Sequence, residues 1–104
     1  MKFGLTDEQY EYIQKVVVAP LQKRNLEVWC FGSRARGDFQ KFSDLDLLIE
    51  GQCDDLQRIV SQIKETLETS NFHYKVDIII EEELAESYAE SVARDKIIIN
   101  KESK

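Results

Sequence analysis

The sequence of 104 residues predicts one α/β domain of the α+β type, in which helices pack on a small mixed β-sheet. Segments with the helical spacing of apolar residues alternate with short apolar runs, in the order α-β-(short α)-β-α-β-α. The link between the first two strands, residues 32–44, is too short for a full crossover helix, so we expect these strands to be antiparallel. The length suggests a single domain that spans residues 1–104.

The first helix is predicted to begin at Thr6, because Thr6-Asp7-Glu8-Gln9 has the pattern of a capping box. Its apolar stripe consists of Tyr10, Ile13, Val17 and Leu21. We expect Pro20 to kink this helix or to end its regular part, and Asn25 to stop it. The first strand follows at residues 26–31, and residues 32–37 form a turn or a short helix.

Two further strands are predicted at residues 45–49 and 74–80, with a helix between them. Asp54 is expected to cap that helix, which ends at Ser70-Asn71. Its stripe consists of Leu56, Ile59, Val60, Ile63 and Leu67. Glu81 to Glu83 suit the positive end of a last helix, whose stripe is Leu84, Tyr88 and Val92. The run Ile97 to Ile99 fits either a short edge strand or the packed end of that helix.

Composition predicts a cytoplasmic protein with no membrane partner. No apolar run approaches the roughly 20 residues of a membrane span, and no signal-peptide core follows the first methionine. The net charge is −6, whereas proteins that grip nucleic acid usually present a basic face, so we expect no strong nucleic-acid binding by the chain alone. Cys30 and Cys53 fit no zinc spacing and are expected to be free thiols.

Asp46 and Asp77 lie inside apolar runs, where a charged side chain is unfavourable without a partner. Asp44 and Asp46 are two residues apart at the start of a strand, so their carboxylates point to one face, and their repulsion calls for a cation. Oxygen ligands suit Mg²⁺. If the second and third strands are neighbours, Asp77 can join the pair, as a two-metal phosphoryl-transfer site requires. Taken singly, Asp44 could cap a turn and Asp77 could guard a sheet edge.

The loop before these acids contains Gly32-Ser33, directly after the first strand. Glycine lets the backbone approach a ligand closely, and Ser33 adds a hydroxyl donor. Arg34 and Arg36 could neutralise the outer phosphates of a nucleotide. A plain turn with two arginines that favour solubility is the alternative interpretation of the loop.

The loop and the acids together resemble a known signature. Gly32-Ser33, Gly37 and Ser43-Asp44-Leu45-Asp46-Leu47 are similar to GS-x(3)-G-x(5)-SDxDL of the nucleotidyltransferase superfamily typified by polymerase beta. Length and element order are most similar to those of the minimal nucleotidyltransferases, which are small stand-alone catalytic domains. The resemblance implies a palm-like fold and transfer of a nucleoside monophosphate, usually AMP from ATP, to a hydroxyl, with release of pyrophosphate.

The resemblance also implies residue roles. Gly32 and Ser33 would hold the triphosphate of ATP, and Asp44 and Asp46 would bind two Mg²⁺ ions. Asp77 would bind the catalytic ion and help to deprotonate the attacking hydroxyl. The remaining residues that match the nucleotide-binding part of the signature are Arg34, Arg36, Gly37 and Ser43. Ser43 could instead cap the turn that precedes the first acid.

A partner is expected because few residues follow the third acid to bind an acceptor. Many minimal nucleotidyltransferases are encoded beside an all-helical HEPN-domain toxin, and in those pairs the acceptor is a tyrosine of the toxin. The resemblance thus implies the antitoxin of a type VII toxin–antitoxin pair, in a homo- or hetero-oligomer. The alternatives are transfer to RNA or a small molecule with a partner subunit, and a nucleotide-binding antitoxin that acts by occlusion.

Overall fold

The computed structural model of the protein describes residues 3–40, 43–70, 72 and 74–99. Its elements in chain order are α1 (Asp7–Ile13), a π-helical segment (Gln14–Val18), α2 (Ala19–Gln22), β1 (Glu27–Phe31), α3 (Ser33–Arg36), β2 (Leu45–Glu50), α4 (Leu56–Thr69), β3 (Val76–Ile80), a 3-10 turn (Glu81–Glu83), α5 (Glu86–Asp95) and β4 (Ile97–Ile98). No helix within the described ranges is long and apolar enough to cross a membrane.

The four strands form one mixed sheet in the order β3-β2-β1-β4. β1 is antiparallel to both β2 and β4, while β2 and β3 are parallel. The predicted mixed sheet and the antiparallel first pair are therefore confirmed. The run that the sequence left open is resolved as an edge strand, because Ile97 pairs with Cys30 and Ile98 with Trp29.

The two faces of the sheet have different surroundings. One face joins the helices in a single buried cluster, which contains Val28, Cys30, Leu45, Leu47, Ile49, Ile78 and Ile80 from the strands. The alternation of side chains along a strand puts Phe31, Asp46 and Asp77 on the other face. There α5 covers Leu48, which is buried like Val92 of that helix. The acids therefore lie on the face that the main core leaves free.

The first helix begins as predicted. The Gln9 N–H donates to Thr6 Oγ1 at 3.1 Å, and the Thr6 N–H donates to Gln9 Oε1 at 2.9 Å, which completes the capping box. The π-helical segment ends two residues before Pro20, whose missing N–H disturbs the regular hydrogen bonds. Asn25 has a φ of +61°, a left-handed conformation that asparagine tolerates and that ends the helical segment.

The predicted start of the third helical stretch is wrong by one residue. Asp55, not Asp54, precedes α4, and its side chain caps no backbone N–H. Its carboxylate instead accepts hydrogen bonds from Arg24 at 3.4 Å and from Arg58 at 3.0 Å. These two arginines and the Cys53 thiol, which donates at 3.1 Å, occupy the carboxylate in place of the helix N–H groups. α4 ends at Thr69, before Ser70, while Asn71 lies outside the described residues.

The last helix also differs from its prediction. Glu81–Glu83 form a separate 3-10 turn, and α5 begins only at Glu86. Acidic side chains are favourable at the start of any helical turn, so the three glutamates could not show whether they begin the 3-10 turn or α5. Tyr88 was expected in the buried stripe, yet it is 65% exposed, whereas Val92 is buried. The third strand likewise begins at Val76 rather than at Tyr74.

Candidate nucleotide and metal site

The antiparallel pairing of β1 and β2 brings the two halves of the signature together. Phe31, the last residue of β1, lies opposite Asp46 of β2. Gly32 follows immediately with a φ of +77°, and a Cβ atom added there would overlap Oδ2 of Asp46. A residue with a side chain would therefore be strained in its backbone and would displace the carboxylate. Glycine is needed at this position because the turn touches the acid.

Asp46 and Asp77 are direct neighbours across the parallel pair β2–β3. Burial, the negative charges of Asp77 and Asp44, and a hydrogen bond with Asp77 raise the pKa of Asp46 from 3.8 to about 6. The positive charge of Lys75 lowers this pKa in part. Lys75 Nζ lies 3.7 Å from Oδ1 of Asp77, and both side chains are substantially exposed. The pair therefore carries negative charge that the neighbouring lysine compensates incompletely.

The donor set of this pair fits a divalent cation. Carboxylate oxygens are the ligands that Mg²⁺ prefers, and Mg²⁺ is usually held by one or two carboxylates together with substrate phosphates. Asp44 is exposed, and within the described residues no group of three His, Cys, Asp or Glu side chains is arranged to hold a metal ion. The structure thus joins two of the three predicted acids and leaves the third close enough to influence the pKa of Asp46.

A cleft of about 500 Å³ runs along the edge strand β3 and contains both paired acids. Lys64 and Glu68 of α4 line its other side, together with Lys75. Sequence reasoning did not single out these three residues. For Lys75 a signal existed, since it lies two residues before Asp77 and therefore shares its face of the strand. The α4 residues had no such signal, because only the packing of that helix brings them to the cleft.

Arg34, a predicted nucleotide ligand, lies in the interior. Its residue is 2% exposed. Its Nε donates to the main-chain oxygen of Ser43 at 3.1 Å, and Nη1 donates to that of Phe3 at 2.7 Å. The guanidinium carbon lies 4.3 Å from the ring centre of Tyr74 and 5.1 Å from that of Phe39. The guanidinium is thus surrounded by protein groups.

The other predicted nucleotide ligands lie in and after the same turn. Exposed Arg36 is paired with Asp38 at 3.2 Å and with Asp95 of α5 at 3.3 Å, and hydrogen bonds to these two acids raise its pKa above the usual value. Gly37 closes α3 with a φ of +91°. Ser43 Oγ accepts a hydrogen bond from the Gln40 N–H at 2.7 Å, so its hydroxyl is engaged in the turn before Asp44.

Comparisons with known proteins identify the family of the chain. A family of nucleotidyltransferase domains matches residues 12–101. The chain therefore belongs to the nucleotidyltransferase domain family, as a minimal member of the polymerase-beta-type superfamily, and is a transferase enzyme. The predicted superfamily and enzyme class are confirmed.

Two similar proteins refine the comparison. The chain is 34% identical over 79 residues to "Probable protein adenylyltransferase MntA" of Haemophilus influenzae, a match that covers 74% of this chain and 68% of that protein. A solved structure of a minimal nucleotidyltransferase is 31% identical and superposes with a TM-score of 0.64, over 93% of this chain and 95% of that one. The predicted palm-like α+β fold is confirmed by this superposition.

Proposed function

We propose that the protein transfers AMP from ATP to a hydroxyl acceptor, and that the acceptor is a tyrosine of a HEPN-domain toxin. Nucleotidyl transfer follows from family membership, and the similarity to a protein named as an adenylyltransferase supports AMP as the group transferred. The observation that carries the proposal is the contact of Gly32 with the Asp46 carboxylate. It unites the candidate phosphate turn with the candidate metal ligands.

The proposal gives each half of the site one task. Gly32 and Ser33 bind the triphosphate, and the open backbone of a glycine allows the phosphate oxygens a close approach. Asp46 and Asp77, together with the nearby exposed Asp44, hold up to two Mg²⁺ ions. When bound, such ions neutralise the charge of the phosphates and orient the leaving group.

The reaction proceeds at the α-phosphorus of ATP. The acceptor oxygen forms a bond to this phosphorus while the bond to the bridging oxygen breaks, and pyrophosphate leaves with the electron pair. The proton of the acceptor hydroxyl passes to the Asp77 carboxylate, which lies on an edge strand beside the open cleft. An acceptor carried by a second protein can approach from that edge, so the proposed active form is a hetero-oligomer. The compartment expected for this complex is the cytoplasm.

The test combines the purified protein, ATP, Mg²⁺ and the candidate helical partner, and measures intact masses. We expect the partner to gain the mass of one AMP on a tyrosine. Asp46→Asn and Asp77→Asn should abolish the gain, while Asp54→Asn, an exposed aspartate outside the site, should leave it unchanged. Replacing ATP by GTP, CTP or UTP in parallel reactions tests the base preference.

Two results would redirect the proposal. Labelled AMP that appears on RNA or on a small molecule, with the partner protein unmodified, would make that molecule the acceptor. Full neutralisation of the toxin by the double variant Asp46→Asn/Asp77→Asn would instead indicate an antitoxin that acts by occlusion.

A further inference from the structure

We propose that Arg34 is a positioning residue that holds the nucleotide turn and the acid-bearing strands in one arrangement, and that it does not bind phosphate. The proposal rests on the proposed function, because it concerns the same site. It replaces the role that the sequence resemblance implies for this arginine. Four features of the structure support it.

The first feature is burial. A phosphate ligand must present N–H groups to the nucleotide, but Arg34 is 2% exposed. Two of its three nitrogens already donate to main-chain oxygens, those of Ser43 and Phe3. Exposed Arg36, two residues later, shows the contrast, since its partners are acidic side chains on the surface. Nε and Nη1 would have to break these backbone bonds before they could bind phosphate, and the remaining nitrogen, Nη2, is buried.

The second feature is the shape of the pocket. Tyr74 and Phe39 place their rings 4.3 Å and 5.1 Å from the guanidinium carbon. A planar, delocalised cation stacks on such rings and donates in a fixed fork, whereas a lysine ammonium does neither. Gly4 packs so closely that an added Cβ atom would overlap the Phe39 ring and approach Nη1 within 2.8 Å. The pocket is therefore built around a guanidinium.

The third feature is the location of the contacts along the chain. Arg34 follows Ser33 of the candidate phosphate turn. Ser43, whose oxygen it binds, directly precedes Asp44, and Tyr74 lies three residues before Asp77. Each half of the candidate site is thus within three residues of a contact with one buried cation. Loss of the guanidinium would therefore shift Ser33, Asp44 and Asp77 through short backbone segments.

The fourth feature is an unsatisfied donor. Nη2 of Arg34 is buried and has no hydrogen-bond partner within the described part of the chain. A buried N–H without a partner destabilises a fold. An unpaired buried donor is a local cost of the kind that proteins carry at functional sites, which fits a residue that positions two halves of a site.

The test compares Arg34→Lys and Arg34→Met with the unchanged protein. Lysine keeps the charge but loses the fork and the stacking, so we expect the turnover number to fall about 10- to 100-fold in both variants. The KM for nucleotide should change by less than about 3-fold, because a positioning residue makes no bond to the substrate. In the ligand-free protein, amide hydrogen exchange of residues 43–46 should become faster.

The opposite result is a raised KM at constant turnover number that lysine restores, and it would make Arg34 a phosphate ligand. Unchanged exchange in residues 43–46 would also overturn the proposal. Arg58→Lys, in an exposed arginine of α4, is the matched control. If the Arg34 variants do not fold, Phe39→Leu replaces them, because it removes one aromatic ring from the guanidinium pocket. This variant should show a smaller fall in turnover number and a smaller rise in hydrogen exchange. A Phe39→Leu protein with unchanged kinetics and exchange would refute the proposal. Hydrogen exchange needs no activity, so unchanged exchange in residues 43–46 overturns the positioning role even if AMP transfer is not found.

Discussion

Replacing Asp46 with asparagine is expected to stabilise the metal-free protein and to remove its response to divalent metal. The carboxylate lies against Gly32 and is paired with Asp77 across two strands. Asparagine has almost the same shape, and its amide can donate to the neighbouring carboxylate. The substitution therefore removes one negative charge and leaves the packing intact.

The magnitude follows from the pKa of Asp46, which is raised from 3.8 to about 6. Each pKa unit corresponds to about 1.4 kcal/mol, so the upper limit is about 3 kcal/mol. Because the carboxyl group is only half-buried, solvent screening reduces this to about 1–2 kcal/mol. A raised carboxyl pKa means that the charged form destabilises the fold. The penalty is absent below pH 3.8, grows between pH 3.8 and 6, and is complete above pH 6.

The assay is urea unfolding in EDTA at pH 7.5 and again near pH 4, with Asp54→Asn as the control in an exposed aspartate. We expect Asp46→Asn to raise the free energy of unfolding by about 1–2 kcal/mol at pH 7.5, and by much less near pH 4. Added Mg²⁺ or Mn²⁺ should raise the melting temperature of the unchanged protein and of the control, but not that of Asp46→Asn.

Two results would refute this reasoning. A loss of stability in Asp46→Asn at pH 7.5 without metal would mean that the carboxylate contributes favourably to the fold. An equal gain at both pH values would mean that the gain does not arise from the titration of Asp46.

Three further predictions concern the turn, a cysteine and the edge strand. In thermal shift assays, Gly32→Ala should abolish the stabilisation by metal, because its Cβ atom would overlap the Asp46 carboxylate. The Cβ atom of Gly37→Ala meets no atom within 4 Å, so this control should lose only about 1 kcal/mol of folding stability to backbone strain. Burial raises the pKa of Cys30 to about 12, so a thiol reagent at pH 8 should react with it only at the rate of unfolding, and faster reaction in the folded protein would contradict this. Ile99→Ala should cost about 2–4 kcal/mol, since that side chain is 1% exposed, while Ile97→Ala, at a 45% exposed position, should cost under about 1 kcal/mol in urea unfolding.

The local elements of the fold were predictable because each has its own periodicity or cap. The capping box at Thr6 and the alternation of residues 45–49 define their elements from a few neighbouring residues. The errors arose where two local signals compete. Asp54 and Asp55 are equally suited to cap a helix, and only the partners Arg24 and Arg58 show what the second carboxylate does. Those partners are distant in the sequence or lie on another turn.

For the candidate site, the sequence alone determined which residue types are available and how they are spaced. Phosphate and metal chemistry could be predicted for Gly32-Ser33 and the Asp44–Asp46 pair, because the glycine backbone and strand alternation are properties of short segments. The short link between the first two strands also predicted an antiparallel pair, in which the end of β1 and the start of β2 lie at the same end of the sheet. The positions of Asp77 and Arg34 in the site depend on contacts between segments that are distant along the chain.

Only the tertiary structure decided that Asp77 lies opposite Asp46 and that Arg34 is buried. The first depends on the register of two parallel strands that are joined through α4. The second depends on Phe3, Ser43 and Tyr74, three separate segments that enclose one guanidinium. An arginine in a loop after a Gly-Ser turn is equally consistent with a surface ligand and with an internal support. The physical reason is that burial is a property of the assembled chain, whereas residue spacing describes only one segment at a time.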